Sequence, residues 1–228
     1  MSKPFAYRLT FYSIGLLVLA MGISLNTKSC LGVSPLISVA YSISEIFSLN
    51  FGNMTLLWYS LFVFVELCLH LWQNRAAANR QRLKLLLVAD LLQIPLSIVF
   101  TRFLNLFDHL IPTLTNAEFS TRLTMLIAAI ICTGVGAAMS LNMRLIPNPG
   151  DGIVQALADV SGKSVGFTKN GFDLTCLLLT IAISFALSGH LIGVGIGTLL
   201  AMIGVGRTIA VFNRFAQAPM LQLATLKN

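Results

Sequence analysis

Polar and ionisable residues stand inside long apolar stretches of this chain, at the spacing of one helix face. Two stripes have steps of three, four or seven residues: Asp90, Gln93, Ser97 and Thr101 form the first, and Asn170, Asp173, Thr180 and Ser184 form the second. In a third pair, Glu66 precedes His70 by four residues. Such steps place side chains on one side of a helix. An ionisable group at the centre of a membrane span costs roughly 2.5–3.5 kcal/mol on insertion scales, so it normally faces a bundle interior or a cavity. The sequence predicts ion or proton coupling at Glu66, Asp90, Gln93 and Asp173.

Glu66 and Asp90 are the best of these coupling candidates, with one alternative. Both acids fall near the end of an apolar run, where a long side chain can reach water. Snorkelling, or a salt bridge to Arg82 or Lys84, is therefore an equally good prediction for them.

Two Gly/Pro breaks interrupt the apolar pattern, and each opens a short polar segment. The first break is Gly32-Val33-Ser34-Pro35, before residues 34–48, and the second is Pro147 to Gly152, before residues 151–161. Non-helical chain at membrane depth is tolerated only where protein or a water-filled cavity satisfies its backbone groups. We expect Ser34 to cap the first short helix, with Pro35 at its first position, and Asp151 to cap the second.

Two helix N-termini that meet inside a membrane form a binding site for a small solute. Their orphan N–H groups and partial positive charge favour an anion or a carboxylate. Lys28 and Arg144 strengthen that prediction, whereas Asp151 weakens it, so the sign of the solute charge stays open. The alternative is that the breaks only let helices pack closely. The predicted substrate-binding residues are Asn26, Ser34, Pro35, Asn142, Pro149, Gly150 and Asp151.

The composition identifies the class of protein to which these residues belong. Of 228 residues, 56% are hydrophobic and 10% are charged, and the mean hydropathy is +0.84. Soluble domains carry roughly 25% charged residues, so a soluble globular domain, a disordered chain and a nucleic-acid-binding module are excluded. The net charge of +7 is then a signal of membrane topology rather than of nucleic acid. The chain is predicted to be a polytopic membrane protein in contact with the lipid bilayer.

Six apolar segments are long enough to cross a bilayer about 30 Å thick. They lie near residues 8–27, 54–73, 83–104, 122–143, 171–189 and 191–212. The first resembles a signal peptide, but no A-x-A cleavage site follows it, and we expect it to be retained as a helix.

The two halves of the chain repeat each other. Arg8-Leu9-Thr10 recurs as Arg122-Leu123-Thr124, and Ser24-Leu25-Asn26 recurs as Ser140-Leu141-Asn142. The predicted fold is all-α, a single membrane domain with six transmembrane helices and two re-entrant half-helices. These form two inverted repeats of three spans each, residues 8–106 and 120–213, joined by a loop at 107–119.

The distribution of basic residues favours this topology over four crossings per repeat. With re-entrant short segments and a cytoplasmic N-terminus, twelve Lys and Arg residues fall inside and three fall outside. Four crossings would place the cluster from Arg75 to Lys84 outside, against the positive-inside rule. We therefore expect both termini to be cytoplasmic.

Catalytic, metal and cofactor motifs are not found in the sequence. The four Cys residues are scattered and no His stands at metal-ligand spacing, so we predict no metal site, no cofactor and no enzyme activity. The glycine run Gly193-Val194-Gly195-Ile196-Gly197 lacks the G-x-G-x-x-G register, and we interpret it as a helix-packing face, with Gly134 and Ala138 as a second one.

Four short motifs resemble those of the bacterial YczE/YitT group of membrane proteins. They are Leu31 to Pro35, Leu92 to Pro95, Pro149 to Gly152 and Ile192 to Thr198. The absence of a soluble C-terminal domain favours the YczE side of the group. The resemblance implies a bacterial inner-membrane protein and brings no established substrate.

Two functions follow from these patterns. The first is a transporter or channel for a small polar or anionic solute, which passes between the two half-helix ends. The alternative is a non-transporting accessory or scaffold protein that supports another complex through its glycine faces. A homo-oligomer is compatible with either, and no nucleic-acid partner is expected.

Overall fold

The computed structural model describes residues 3–73 and 80–226 and is all-helical in both ranges. Six of its helices are long and apolar enough to cross a membrane, which agrees with a polytopic membrane protein. The helices are α1 (Lys3–Lys28), α2 (Pro35–Ile46), α3 (Phe51–Gln73), α4 (Arg80–Leu110), α5 (Phe119–Asn142), α6 (Pro149–Ser161), α7 (Val165–Ser188), α8 (Ile196–Phe212) and, after a π-helical turn at Asn213–Gln217, α9 (Ala218–Leu223).

The two short helices, α2 and α6, both begin at the Gly/Pro breaks, α2 at the predicted residue and α6 earlier than predicted. Each carries proline at its first position, and Ser34 and Asn148 stand immediately before them. Asp151 is therefore the third residue of α6, so the prediction that it caps this helix is wrong. Neither Ser34 nor Asn148 makes a side-chain capping hydrogen bond. At 1.5 Å per residue these helices of 12 and 13 residues cover about 18–20 Å, less than a bilayer.

Each short helix ends at the face of the bundle from which it entered. We define the near face as the one at which α1 begins and the far face as the one where Lys28 lies. The Lys28 ammonium is 2.7 Å from the Asp108 carboxylate. Glu45, at the end of α2, lines one surface cleft together with these two residues. At the near face, the Gln73 amide donates to the Asp159 carbonyl near the end of α6, at 3.2 Å.

The two long helices α1 and α5 pack antiparallel at the centre of the molecule. Gly15 and Gly136 allow their backbones to touch, because a Cβ on Gly15 would lie 2.8 Å from the Ser140 nitrogen and one on Gly136 would reach the Leu19 nitrogen. The core around this crossing contains aromatic and aliphatic side chains from most helices, among them Tyr12, Leu16, Tyr59, Phe62, Leu104 and Ile153.

Two arginines make reciprocal contacts at the ends of this crossing. The Arg8 guanidinium donates to the carbonyls of Met143 (2.9 Å) and Arg144 (3.2 Å), just after α5. Arg122 donates to the carbonyls of Ser29 (3.0 Å) and Cys30, just after α1. The two donors, Arg8 and Arg122, are 114 residues apart in the sequence, and so are the corresponding acceptors, Ser29 with Met143 and Cys30 with Arg144. Cys30 and Arg144 also share a positive φ angle, of 54° and 48°.

Two boundaries differ from the sequence prediction. Helix α4 continues to Leu110, so the linking loop begins at residue 111 rather than at 107. The run Gly193 to Gly197 is not a packing helix, because α8 starts only at Ile196 and Gly193 has a φ of +77°. Its backbone instead contacts the first break: Val33 N–H donates to the Gly193 carbonyl at 2.9 Å, and Gly197 N–H donates to the Leu31 carbonyl at 2.7 Å. Gly134 does pack helices, α5 against Thr208 of α8.

Candidate functional site

The tips of α2 and α6 meet at a small cavity inside the bundle. This middle cavity has a volume of about 60 Å³ and is lined by residues of both tips, notably Ser34, Leu36, Asn148 and Asp151. Gly150 is in contact with Leu36, where a Cβ would collide with the leucine methyl group. The fully buried Tyr59 closes one side next to Asn148. A volume of this size holds a few water molecules or a small solute.

Asn26 fixes the first break instead of lining the middle cavity. Its carboxamide oxygen accepts the Ser34 N–H at 2.7 Å, and its nitrogen donates to the Gly32 carbonyl at 3.3 Å. These bonds satisfy backbone groups that the chain exposes when it leaves helical geometry. Asn26 is therefore a positioning residue for Ser34 and Pro35.

Asn142 stands at the equivalent place of the second half but has different partners. Its nitrogen donates to Asn213 at 2.8 Å, and its oxygen accepts from Gln217 at 3.1 Å. These bonds tie α5 to the turn that precedes α9. Asn142 thus fixes the C-terminal segment, and the two asparagines of the sequence repeat do different things in the structure.

A lysine and two carboxylates lie between the middle cavity and the near face. Lys169 lines the middle cavity together with Asp151, and its ammonium is 3.1 Å from the Asp173 carboxylate. Asp173 is 2% exposed, and its second oxygen has no hydrogen-bond partner in the described part of the chain. Lys169 was not among the site residues predicted from the sequence. Its position four residues before Asp173 is the signal that indicates an ion pair between them.

The structure brings Glu66, Asp90 and Gln93 together in one buried cluster, which His70 completes. The Gln93 amide nitrogen is 3.0 Å from each Glu66 carboxylate oxygen, and His70 Nδ1 is 2.7 Å from Asp90 Oδ2. Glu66, Asp90 and Gln93 are at most 3% exposed. Of the two basic residues proposed as partners, Lys84 makes no ion pair with Glu66 or Asp90, and the side chain of Arg82 lies outside the described residues.

This cluster opens on a second cavity, which we call the near cavity. It has a volume of about 450 Å³ and is lined by Glu66, His70 and Asp90 on one side and by Asp151, Gln155 and Lys169 on the other. Asp151 and Lys169 line both the near and the middle cavity, so they form the wall between them.

The remaining members of the two predicted stripes do not join the cluster. Ser97 and Thr101 are buried and donate to carbonyls of their own helix at 2.7 and 3.2 Å. Thr180 and Ser184 bond to α2, as Ser38–Thr180 at 2.6 Å and Ser42–Ser184 at 2.8 Å. Asn170 is exposed.

A third cavity lies at the far face, directly beyond the first break. This far cavity has a volume of about 370 Å³ and is lined mostly by backbone and small or apolar residues, among them Gly32, Val33, Tyr41, Gly193 and Gly195. Val33 lines the far cavity and its neighbour Ser34 lines the middle one. The far and middle cavities therefore lie on the two sides of the first break, and the middle and near cavities share Asp151 and Lys169.

Comparison with known proteins identifies the family to which the chain is related. The profile of a family of unknown function, DUF6198, matches residues 6–214. The chain is 26% identical over 225 residues to an uncharacterised membrane protein, YczE, of Bacillus subtilis, which covers 98% of this chain and 91% of the relative. It is 25% identical over 205 residues to the uncharacterised protein YyaS of the same organism, covering 89% and 90%. No solved structure matches. The predicted resemblance to YczE is confirmed.

Proposed function

The chain belongs to the DUF6198 family, and we propose that it carries a small polar or anionic solute across a bacterial plasma membrane, as a transporter or a channel. One observation carries the proposal. The tips of two short helices that enter from opposite faces line one small cavity, with larger cavities next to it. In membrane transporters, broken helices of this kind place their ends at a midplane binding site.

The reciprocal arginine contacts support an inverted repeat of residues 8–106 and 120–213. Arg8 bonds the chain after α5 and Arg122 bonds the chain after α1 with one sequence offset, across an antiparallel helix pair. Three spans per repeat give α1 and α5 opposite directions, whereas four would make them parallel. An inverted repeat supplies two related arrangements of one site, which is the basis of alternating access in many carriers.

The charge distribution supports a cytoplasmic near face. Arg8, Lys84, Arg144 and Lys163 belong to the near side of the bundle, and the acidic Asp108 and Glu118 belong to the far side. Positive residues accumulate on the cytoplasmic side of membrane proteins. The proposal therefore places both termini in the cytoplasm, with the near cavity open to it.

The walls of the middle cavity favour a small solute that accepts hydrogen bonds. The N-terminal ends of α2 and α6 and the Lys169 ammonium all favour negative charge. Asp151 offsets part of that field and supplies an acceptor. A polar solute with one acidic group, or a monovalent anion, fits these walls better than a cation or a large apolar ligand.

Access of small aqueous reagents to the middle cavity tests the proposal. We would replace the four native cysteines and introduce single cysteines at Ser34, Asn148 and Asp151, which line the cavity. Gly150 is not suitable because a side chain there collides with Leu36. A small hydrophilic methanethiosulfonate should modify the three cysteines, and the proposed solute should protect them.

Two matched positions make the labelling result interpretable. A cysteine at Asn116, in the exposed loop, should react at once, and one at Ala129, which is fully buried on α5, should stay inert. Inert cysteines at Ser34, Asn148 and Asp151 beside a reactive Asn116→Cys would overturn the solute pathway and favour the accessory function. Uptake of a solute panel into proteoliposomes would then identify the solute class, with Asp151→Asn as the variant expected to lose it.

A further inference from the structure

We propose that Glu66, His70 and Asp90 bind one divalent transition-metal ion at the wall of the near cavity. The three side chains come from two helices, and each offers one ligand atom such that all three atoms lie within 4.8 Å of one another. No metal site was predicted from the sequence, because the ligands are spread over two helices. The local signal in the sequence is the pair Glu66 and His70, which stand four residues apart.

The geometry of the three groups is close to that of a metal coordination shell. Metal–ligand distances of roughly 2.0–2.2 Å place neighbouring ligand atoms about 3–3.5 Å apart. His70 Nδ1 and Asp90 Oδ2 are 2.7 Å apart, so a metal ion replaces the hydrogen bond between them with only a small separation of the two groups. The ion would keep one or more positions open to the near cavity, which all three residues line.

The charges of the cluster match a divalent cation. When both carboxylates are ionised and the imidazole is neutral, the three ligands carry a charge of −2. In the described part of the chain the one ion-pair partner of these carboxylates is His70, which lies 2.7 Å from Asp90 and is charged only when protonated. Buried carboxylates without compensating charge are strongly unfavourable, and coordination of a metal is one of the few arrangements that stabilises them.

The surrounding residues hold the carboxylates in place, as they do at metal sites. Gln93 donates to both Glu66 oxygens at 3.0 Å, and its own carbonyl oxygen is buried without a partner. Gly152 of α6 leaves the room that Glu66 occupies, since a Cβ there would lie 2.7 Å from Glu66 Oε2. Outer groups that orient the ligands in this way contribute to metal affinity.

The ligand set selects among divalent ions. An imidazole nitrogen suits Zn²⁺, Co²⁺, Ni²⁺ or Fe²⁺, whereas Mg²⁺ and Ca²⁺ prefer oxygen ligands only. We therefore expect tight binding of Zn²⁺ and Co²⁺, with Mg²⁺ at least a hundredfold weaker. The inference is independent of the solute pathway, because the metal ligands lie outside the middle cavity.

Metal titration of the purified full-length chain tests this site. The protein is made without its four cysteines and without a histidine tag, treated with a chelator, and titrated with Zn²⁺ by calorimetry. We expect one Zn²⁺ per chain, and an apparent Kd at least tenfold weaker in Glu66→Gln, His70→Ala and Asp90→Asn. The matched controls are Thr180→Val and Ser184→Ala, which lie 114 residues after Glu66 and His70 on α7 and should bind Zn²⁺ within twofold of the parent protein.

A measurement on the unsubstituted ligands covers the case in which a variant fails to fold. Co²⁺ bound to imidazole and carboxylates gives visible d–d absorption. One equivalent of Zn²⁺ should abolish this absorption. Absence of those bands, unchanged Zn²⁺ affinity in folded His70→Ala, or Mg²⁺ affinity equal to that of Zn²⁺ would each overturn the metal site. Thiol labelling of the middle cavity would be unaffected by such a result, so the two proposals fail separately.

Discussion

The α2–α7 and α6–α3 interfaces are formed by segments that lie 114 residues apart in the sequence, and they contain different chemistry. In the first, Ser38 bonds Thr180 and Ser42 bonds Ser184, two pairs of neutral hydroxyls. In the second, the pair that corresponds to Ser38 and Thr180 at an offset of 114 residues is Gly152 and Glu66. The pair that corresponds to Ser42 and Ser184 is Ala156 and His70. There the short helix α6 has only a glycine and an alanine, and the long helix α3 carries an acid and an imidazole.

This difference separates what builds the fold from what the molecule can use for function. Hydroxyl pairs satisfy each other and leave nothing for a ligand, so the first interface is structural. The second interface buries charge that its own short helix does not neutralise, and it borders a cavity of about 450 Å³. Functional residues are expected where one half departs from the other, and the cluster around Glu66 is such a departure.

The largest effect is expected at the crossing of α1 and α5. Gly136→Ala places a methyl group against the Leu19 backbone nitrogen and the Gly15 carbonyl, which no side-chain movement can relieve. We expect a loss of about 3 kcal/mol in the free energy of unfolding, measured by SDS-induced unfolding in mixed micelles. Gly166→Ala, with nothing within 4 Å of its Cβ, is the control and should gain up to about 1 kcal/mol. Equal effects of the two substitutions would contradict close packing of α1 on α5.

The reciprocal arginines allow a direct test of equivalence between the two halves. Arg8→Met and Arg122→Met each remove charged hydrogen bonds to two carbonyls, which we expect to cost about 2 kcal/mol in each case. The control is Arg102→Met, since Arg102 is exposed and its one hydrogen bond within residues 3–73 and 80–226 is to the Asn53 side chain. If the two losses differ by more than about 1 kcal/mol, the halves are not energetically equivalent at this contact.

Transplanting the hydroxyl pair into the charged interface sharpens the comparison. Gly152→Ser alone is expected to cost about 2 kcal/mol, because its Cβ lies 2.7 Å from Glu66 Oε2. Adding Glu66→Thr removes the clash and recreates the Ser38–Thr180 pair, so most of the stability should return. A double-mutant cycle should give a coupling of at least about 1 kcal/mol, while Zn²⁺ binding stays lost. Additive effects would show that the two interfaces do not share one geometry.

Much of the fold was predictable because its signals do not depend on contacts between distant residues. Proline affects the backbone next to it, and apolar length and charge are determined by the membrane. Apolar length gives the six spans, and the Ser34-Pro35 pair marks the start of α2. The start of α6 was placed too late, because its N-cap is Asn148, three residues before Asp151. The glycine run at Gly193 was misinterpreted because a helical glycine face and an extended glycine turn have the same composition. Only the tertiary contact with Leu31 and Val33 distinguishes them.

The site was predictable in part. Ser34 and Asp151 do line one cavity, and Glu66, Asp90 and Gln93 do come together. The partner choices of the two sequence-equivalent asparagines could not be derived, because Asn142 bonds Asn213 and Gln217, which lie outside the repeat pattern. The role of His70 depends on Asp90, twenty residues away on another helix, and no spacing rule connects them.

The smallest predicted effect tests whether the neutral interface is only structural. Ser42→Ala removes a single hydroxyl bond of 2.8 Å to Ser184. Inter-helix hydrogen bonds of this kind contribute on average about 0.6 kcal/mol in membrane proteins, so the melting temperature should fall by only a few degrees. Zn²⁺ affinity and thiol labelling at Ser34→Cys should not change, because Ser42 lines neither the middle nor the near cavity. A Ser42→Ala variant that is stable but loses metal binding or labelling would mean that the two interfaces are coupled, and that the hydroxyl pairs take part in function as well as in packing.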